Sequence, residues 1–244
     1  MISLIARREL KEWFSTPAGW LLLAVVQLLI SWLLFAQLEV YLKIQPQLTA
    51  ASSPLGIYDL IISPMLSATA IALLIFIPLL GMRGFSAEIS SGRMALLLSS
   101  PLSLWQWVWG KWLGLMLACL PALAPVLMLS VWLGLGSALD GGRLAASLLG
   151  LLLLAALAGA ISLWLSALNS QALGAATASW GLLWLLWLID ASGSNSLQAL
   201  SLKAHLLPFF KGWVRTQDVA YFGAITLAAW GLTVHRLWRL GGGR

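Results

Sequence analysis

Charge is what this chain has least of. Only 9% of its 244 residues are Asp, Glu, Lys or Arg, against about a quarter in an ordinary soluble domain. With 61% hydrophobic residues, a soluble fold is excluded. Cysteine occurs once, as Cys119 in an apolar run. No intrachain disulfide can form, and the thiol reads as packing. There are two histidines, His205 and His235, so a pair of haem ligands inside the apolar runs is not available. No zinc-type ligand cluster is present. Ser162 has no His or Lys near it in a span, which argues against an intramembrane serine protease. Ionisable residues are nearly absent from the middles of the apolar runs. Ion-coupled pumps place such residues there, so a secondary carrier is a distant reading, open only through ion coordination by backbone carbonyls. A phosphate-cradling Walker loop is also missing. Gly110-Lys111 is followed by Trp112, and no glycine stands five residues before Gly110. If ATP drives this protein, another subunit binds it.

Apolar runs long enough to cross a bilayer core recur along the chain. The reading is an all-α polytopic membrane protein forming a single domain over residues 1–244. Six transmembrane helices are expected, at about 20–37, 61–82, 104–134, 144–168, 172–189 and 219–238. Polar loops separate them at Glu39 to Asp59, Gly134 to Gly142 and Asp190 to Asp218. The apolar part of the last loop, Leu197 to Trp213, is expected at the membrane surface. Gln27 and Ser31 share a face of span one and either bond to a neighbouring helix or line a substrate path. Trp105, Trp107, Trp109 and Trp112 are expected as a belt at headgroup level. Gly110 and Gly114 are spaced for close helix contact, and Ala155, Ala156, Gly159 and Ala160 give span four a small-residue face. Pro64 suits the first turn of span two. Pro78, Pro121 and Pro125 are expected to bend their helices.

Residues 1–16 divide on a helical wheel. Ile2, Ile5, Ala6, Leu10, Trp13 and Phe14 fall on one half; Arg7, Arg8, Lys11, Glu12 and Ser15 fall on the other. Such a helix suits the membrane interface, and Pro17 and Gly19 then turn the chain inward. No small-residue cleavage site follows the basic residues, so no cleavable leader is expected.

The stretch Gly81 to Trp112 lies between two long apolar spans, so both its ends are held by the membrane. Its first half carries Arg83, Glu88 and Arg93. A helix there places Ile89, Leu96 and Leu97 on one surface, and Ser99, Ser100 and Pro101 end it. The physical picture is an amphipathic elbow on the membrane face, held at both ends by spans. Its string Met82-Arg83-Gly84-Phe85-Ser86-Ala87-Glu88, then Ser91-Gly92, then Leu96-Leu97-Leu98-Ser99-Ser100-Pro101-Leu102-Ser103 and Gly110-Lys111, resembles the first cytoplasmic coupling segment of ABC-2 type exporter permeases. It is most similar to the GldF-like gliding-motility permeases. Arg8-Glu9-Leu10 through Trp20 is similar to the amino terminus of that group. Ser201 to His205, Phe209-Phe210-Lys211-Gly212 and Gln217-Asp218 to Tyr221-Phe222 resemble its carboxyl-terminal pattern. The family's paired acids are here Ala87-Glu88, its Thr-x-Glu is Arg93-Met94-Ala95, and Lys211 and Gln217 replace arginines.

The resemblance implies a permease subunit that binds no cofactor itself. Two copies of an ATPase subunit, holding ATP and Mg, would dock on the elbow through Arg83, Phe85, Glu88, Ser91, Gly92, Arg93, Leu96, Leu97, Leu98, Ser99 and Pro101. The interfacial helix with Arg7, Arg8, Glu9 and Glu12 would lie beside it. Two copies of the chain would pair through parts of spans one, two and five. An extracytoplasmic accessory protein is a further implied partner. An alternative of another class is a non-transporting scaffold that anchors a soluble complex.

Six crossings put both termini and the elbow on one side, with nine Lys and Arg against five on the other. By the positive-inside rule the nine face the cytoplasm, here of a bacterial inner membrane. The basic residues flank spans, so the net charge of +6 does not point to nucleic acid. The interior is nearly uncharged and suits a lipidic or amphipathic cargo, or mechanical work on an envelope component. With about 16 residues, short of the roughly 20 a crossing needs, the amino-terminal helix should not span. A membrane-impermeant thiol reagent applied outside intact cells should therefore leave cysteines placed at residues 3–15 unlabelled, and labelling from outside would refute the interfacial assignment.

Overall fold

In a computed structural model, residues 2–50, 58–94, 103–134, 140–192 and 198–241 are described, and all regular structure among them is helical. The order is α1 (Ile2–Phe14), α2 (Pro17–Ala50), a π-helical turn (Tyr58–Ile62), α3 (Ser63–Gly81), α4 (Ser86–Ser90), α5 (Leu104–Gly134), α6 (Gly141–Leu168), α7 (Ala172–Leu188), a 3-10 turn (Ile189–Ser192), α8 (Leu202–Phe210) and α9 (Thr216–Gly241).

Four stretches are long and apolar enough to cross a membrane: Gly19–Lys43, Tyr58–Ser90, Leu104–Trp132 and Gly141–Leu168. Of the other two expected spans, α7 is apolar but has 17 residues. α9 has 26 but carries Asp218 in its first turn and Arg239 in its last. The first loop begins later than expected. α2 runs through Glu39 and Pro46 to Ala50, and Lys43 reaches back one turn to Glu39 at 2.6 Å, a pairing that favours continued helix. The third expected loop is largely structured too. Ser201 caps α8 by accepting the Ala204 N–H, and Leu202, Leu206, Phe209 and Phe210 are buried in the common core. This segment is therefore part of the bundle. Residues 51–57, 135–139 and 193–197 of the expected loops lie outside the described residues.

The bundle is built around α6, which packs against α3, α5, α7, α8 and α9. Its start is set by Asp140, whose carboxylate accepts the N–H groups of Gly142 and Arg143, as an N-cap should. Small residues decide how near its neighbours come. A Cβ on Gly159 would lie 2.8 Å from side chains of Leu115 and Met116 on α5, and one on Gly150 would lie 2.8 Å from Phe209 on α8. Trp112 is drawn out of the expected belt: its indole N–H donates to the Ala156 carbonyl at 3.0 Å, and its ring meets Trp230 of α9 edge-on. Trp105, by contrast, is 47% exposed.

Several hydroxyls inside the helices bond within their own helix. Thr69, Ser162, Ser179, Thr226 and Thr233 each donate to the carbonyl four residues earlier. This is the economical solution where no water competes.

The α1 helix is docked on α5. A Cβ on Gly110 would lie 2.7 Å from Ile5, and one on Gly114 would lie 2.7 Å from Glu9 and 3.1 Å from the Ala6 carbonyl oxygen. The expected close-contact pair thus receives the amino-terminal helix. Overpacking such a seam costs about 1–3 kcal/mol. Gly114→Ala should lower thermal stability in detergent by that order and increase proteolysis within residues 2–14. Gly181→Ala, where a Cβ meets nothing within 4 Å, should do neither.

Candidate functional site

The site lies where α1, the elbow and the start of α5 meet. The turn that leaves α3 is clamped by one side chain of α6. The Ser166 hydroxyl accepts the N–H groups of Phe85 and Ser86 at 2.8 and 3.0 Å and donates to the Met82 carbonyl at 3.1 Å. Gly84 makes room for it: a Cβ there would lie 2.5 Å from Leu163. α4 then begins at Ser86 and lasts five residues. Gly92 stops it with φ of 69°, a left-handed value that glycine adopts freely. The Ser91 hydroxyl donates to Ala87, and Arg93 Nε donates to Ser91. Ile89 is partly buried against the core, as its place on the apolar side requires. Leu96, Leu97, Leu98, Ser99 and Pro101 lie outside the described residues.

At the centre is Lys111, 4% exposed. Its ammonium lies 2.6 Å from a Glu9 oxygen of α1 and 2.9 Å from a Glu88 oxygen of α4. The Phe85 ring is 5.3 Å away. One cation therefore joins three elements, with each carboxylate mostly withdrawn from solvent. Arg83 and Arg93 flank Glu88 along the elbow, and Arg7 and Arg8 neighbour Glu9 on α1. All four are exposed, and within 4 Å of Glu88 the described residues supply only Lys111. The reason is geometric: α4 turns Glu88 toward α5, while Arg83 and Arg93 on either side of α4, and Arg7 and Arg8 on α1, face solvent. Glu88 is tied to the amino-terminal helix through Lys111, which contacts Glu9 as well. The second Glu88 oxygen and the Trp107 indole N–H are buried without a partner among the described residues. Such groups are costly and rare.

A cavity of about 330 Å³ opens beside the triad. Its floor includes Glu9, Glu88 and Lys111; Leu4, Ile5 and Leu80 give it apolar wall; Arg8, Arg83, Arg93 and Glu12 stand around it.

The proposed substrate-path pair separates. Gln27 donates from its amide nitrogen to the Pro121 carbonyl at 3.3 Å. In a helix that carbonyl would take the N–H of residue 125, but residue 125 is proline and has none. Gln27 thus satisfies an acceptor that Pro125 leaves open, so the glutamine is a helix-to-helix bond. Ser31 makes no side-chain hydrogen bond among the described residues.

A second polar cluster, at the opposite end of the bundle, was visible in the sequence only as similarity to a carboxyl-terminal pattern. His205 Nδ1 lies 2.6 Å from Asp218, its ring stacks on Tyr221 at 4.1 Å, and the Tyr221 hydroxyl donates to the Leu200 carbonyl. Nearby, Arg143 pairs with Asp59 and covers the Tyr58 ring at 3.8 Å. Its Nε donates to the Phe210 carbonyl. These contacts pin α8 to α6 and α9.

Removing one partner of a buried charge pair costs about 3–5 kcal/mol, because the other charge is stranded. Lys111→Met should therefore destabilise the protein by that order, measured by thermal unfolding in detergent. Adding Glu9→Gln and Glu88→Gln to Lys111→Met should recover most of the loss.

The family model described as ABC-2 family transporter protein matches residues 3–222. No curated protein matches the chain. The matched range takes in α1, the elbow, Lys111 and the His205–Asp218 pair. With a match over most of its length and four helices apolar and long enough to cross a membrane, the chain belongs to the ABC-2 transporter family, as a multi-pass membrane component.

Proposed function

We propose that this chain is the permease subunit of an ATP-driven exporter of the GldF-like kind. Two copies would pair, and two separate ATPase subunits holding ATP and Mg would dock on the elbows. Closure of the ATPases would push α4, and the bundle would switch between inward-open and outward-open arrangements, a two-state element biased by nucleotide. The observation that carries this reading is the buried Lys111 between Glu9 and Glu88. A force applied to the elbow reaches α5 and α1 through ionic contacts and reaches α6 through the Ser166 clamp.

The same reading counts six crossings, with α7 and α9 completing the bundle, and places both termini and the elbow in the cytoplasm. The elbow end holds nine basic and three acidic residues, the opposite end five and five. Of the opposing five, Lys43, Arg143 and Lys203 are each paired with an acid, so the unmatched positive charge lies at the elbow end. An extracytoplasmic accessory protein would meet the opposite end, and the cargo would be lipidic, amphipathic or a mechanical load in the envelope.

Co-purification with an ATPase subunit and vanadate-sensitive hydrolysis separate this reading from a scaffold that conducts nothing. Glu88→Ala should preserve insertion and expression yet uncouple hydrolysis from transport, since loss of one partner at a partly desolvated junction costs about 2–5 kcal/mol. Leu97→Asp should instead abolish ATPase binding by placing a charge on the apolar side of the contact. Full transport and full assembly in both variants would remove the elbow as coupling element.

A further inference from the structure

We infer that the cavity between α1 and the elbow seats the phosphate of an anionic phospholipid. The inference rests on the membrane reading above and is independent of ATP. Three guanidiniums, Arg8, Arg83 and Arg93, stand around the cavity. All are exposed, and none has an acid within 4 Å among the described residues. Three carboxylates line the cavity against four cations: Glu12 beside the arginines, and Glu9 and Glu88, which are turned to Lys111. Lys111 does not contribute a free charge, because two carboxylates already hold it. What remains is an excess of positive charge around the opening, carried by the side chain best suited to phosphate oxygens.

Volume and lining select the lipid. At about 330 Å³ the cavity is at the small end of ligand pockets and suits a glycerophosphate headgroup without its acyl chains. Those chains have a way out. Leu4 forms part of the wall and is 64% exposed, and it belongs to the helix assigned to the membrane interface. Leu80, in the last turn of α3, lines the cavity as well, which puts it at the level where a span ends. An acidic segment of a protein partner would meet the same arginines but would gain little from this apolar wall. The three arginines come from both sides of the opening, Arg8 from α1 and Arg83 and Arg93 from the elbow. A bound phosphate would bridge the two elements that Lys111 joins from below.

The test uses the full-length chain in detergent, without ATPase or nucleotide, offered phosphatidylglycerol and phosphatidylcholine in equal amounts, with retained lipid counted by native mass spectrometry. The wild type should keep one phosphatidylglycerol per chain in preference to phosphatidylcholine. Affinity should fall about fivefold for each of Arg8→Gln, Arg83→Gln and Arg93→Gln, following the roughly 1 kcal/mol a basic residue contributes near an anionic surface. Arg239→Gln, exposed on α9 and away from the cavity, should leave retention unchanged. Equal retention of both lipids, unchanged retention in the triple variant, or an equal loss in Arg239→Gln overturns the proposal. So does displacement of the lipid by glycerol 3-phosphate at the lipid's own concentration, which would make the site one for a soluble phosphate. Loss of ATPase capture by the triple variant with lipid retention intact would likewise overturn it, as the arginines would then be a protein-docking surface. Because no ATPase is present in the lipid measurement, its failure leaves the coupling reading standing, and failure of coupling leaves the lipid result standing.

Discussion

A lysine ammonium held out of water is tolerable only while its counter-ions stay in place. Much of this structure serves that condition at Lys111. Glu9 can reach it because Gly110 and Gly114 let α1 settle closely against α5, with Ile5 over the first glycine and Glu9 over the second. Glu88 can reach it because Ser166 and Gly84 fold the elbow back onto α6. Each of these small residues is ordinary alone. Together they set the distance at which one charge can answer two carboxylates. The three elements are thereby coupled: displacing any of them exposes or strands a charge in the other two.

The two ends of the bundle use charge differently. At the end opposite the elbow several polar groups are paired: Arg143 with Asp59, Lys203 with Asp190, and the His205 ring with Asp218. Such matching holds short elements in place, and α8 is pinned this way although it is too short to stand alone. At the elbow end Glu9 and Glu88 are drawn inward to Lys111, and Arg7, Arg8, Arg83 and Arg93 are left facing out. One end is tied mainly by pairs, and the other is held together inside while presenting cations outside. That asymmetry suits a surface that meets something negatively charged.

Between the two ends several hydroxyls turn back on their own helices, and Gln27 fills the place of an N–H that Pro125 lacks. Among the described residues the interior therefore carries little that would bind an ion or hold a charged solute.

Hydropathy, proline and the polar–apolar division of a helical wheel are properties of neighbouring residues, and they were readable without a fold. The sequence alone established α1, the long apolar helices and the place of Gly110 and Gly114 in a close contact; the helix it placed through Ile89 and Leu97 is instead interrupted at Gly92. It misjudged α2, whose Glu39 and Lys43 looked like the start of a loop but pair along a continuing helix, and α8, whose apolar residues read as a surface segment. Only the tertiary structure decided which cation Glu88 answers, since Lys111 and Glu9 are 102 residues apart and an acid among several basic residues carries no direction in its sequence. It alone showed that α8 belongs to the core and that Gln27 serves a carbonyl 94 residues away. The physical reason is the same in each case. A residue's type states what it must be paired with, and the packing of distant helices states what stands within reach.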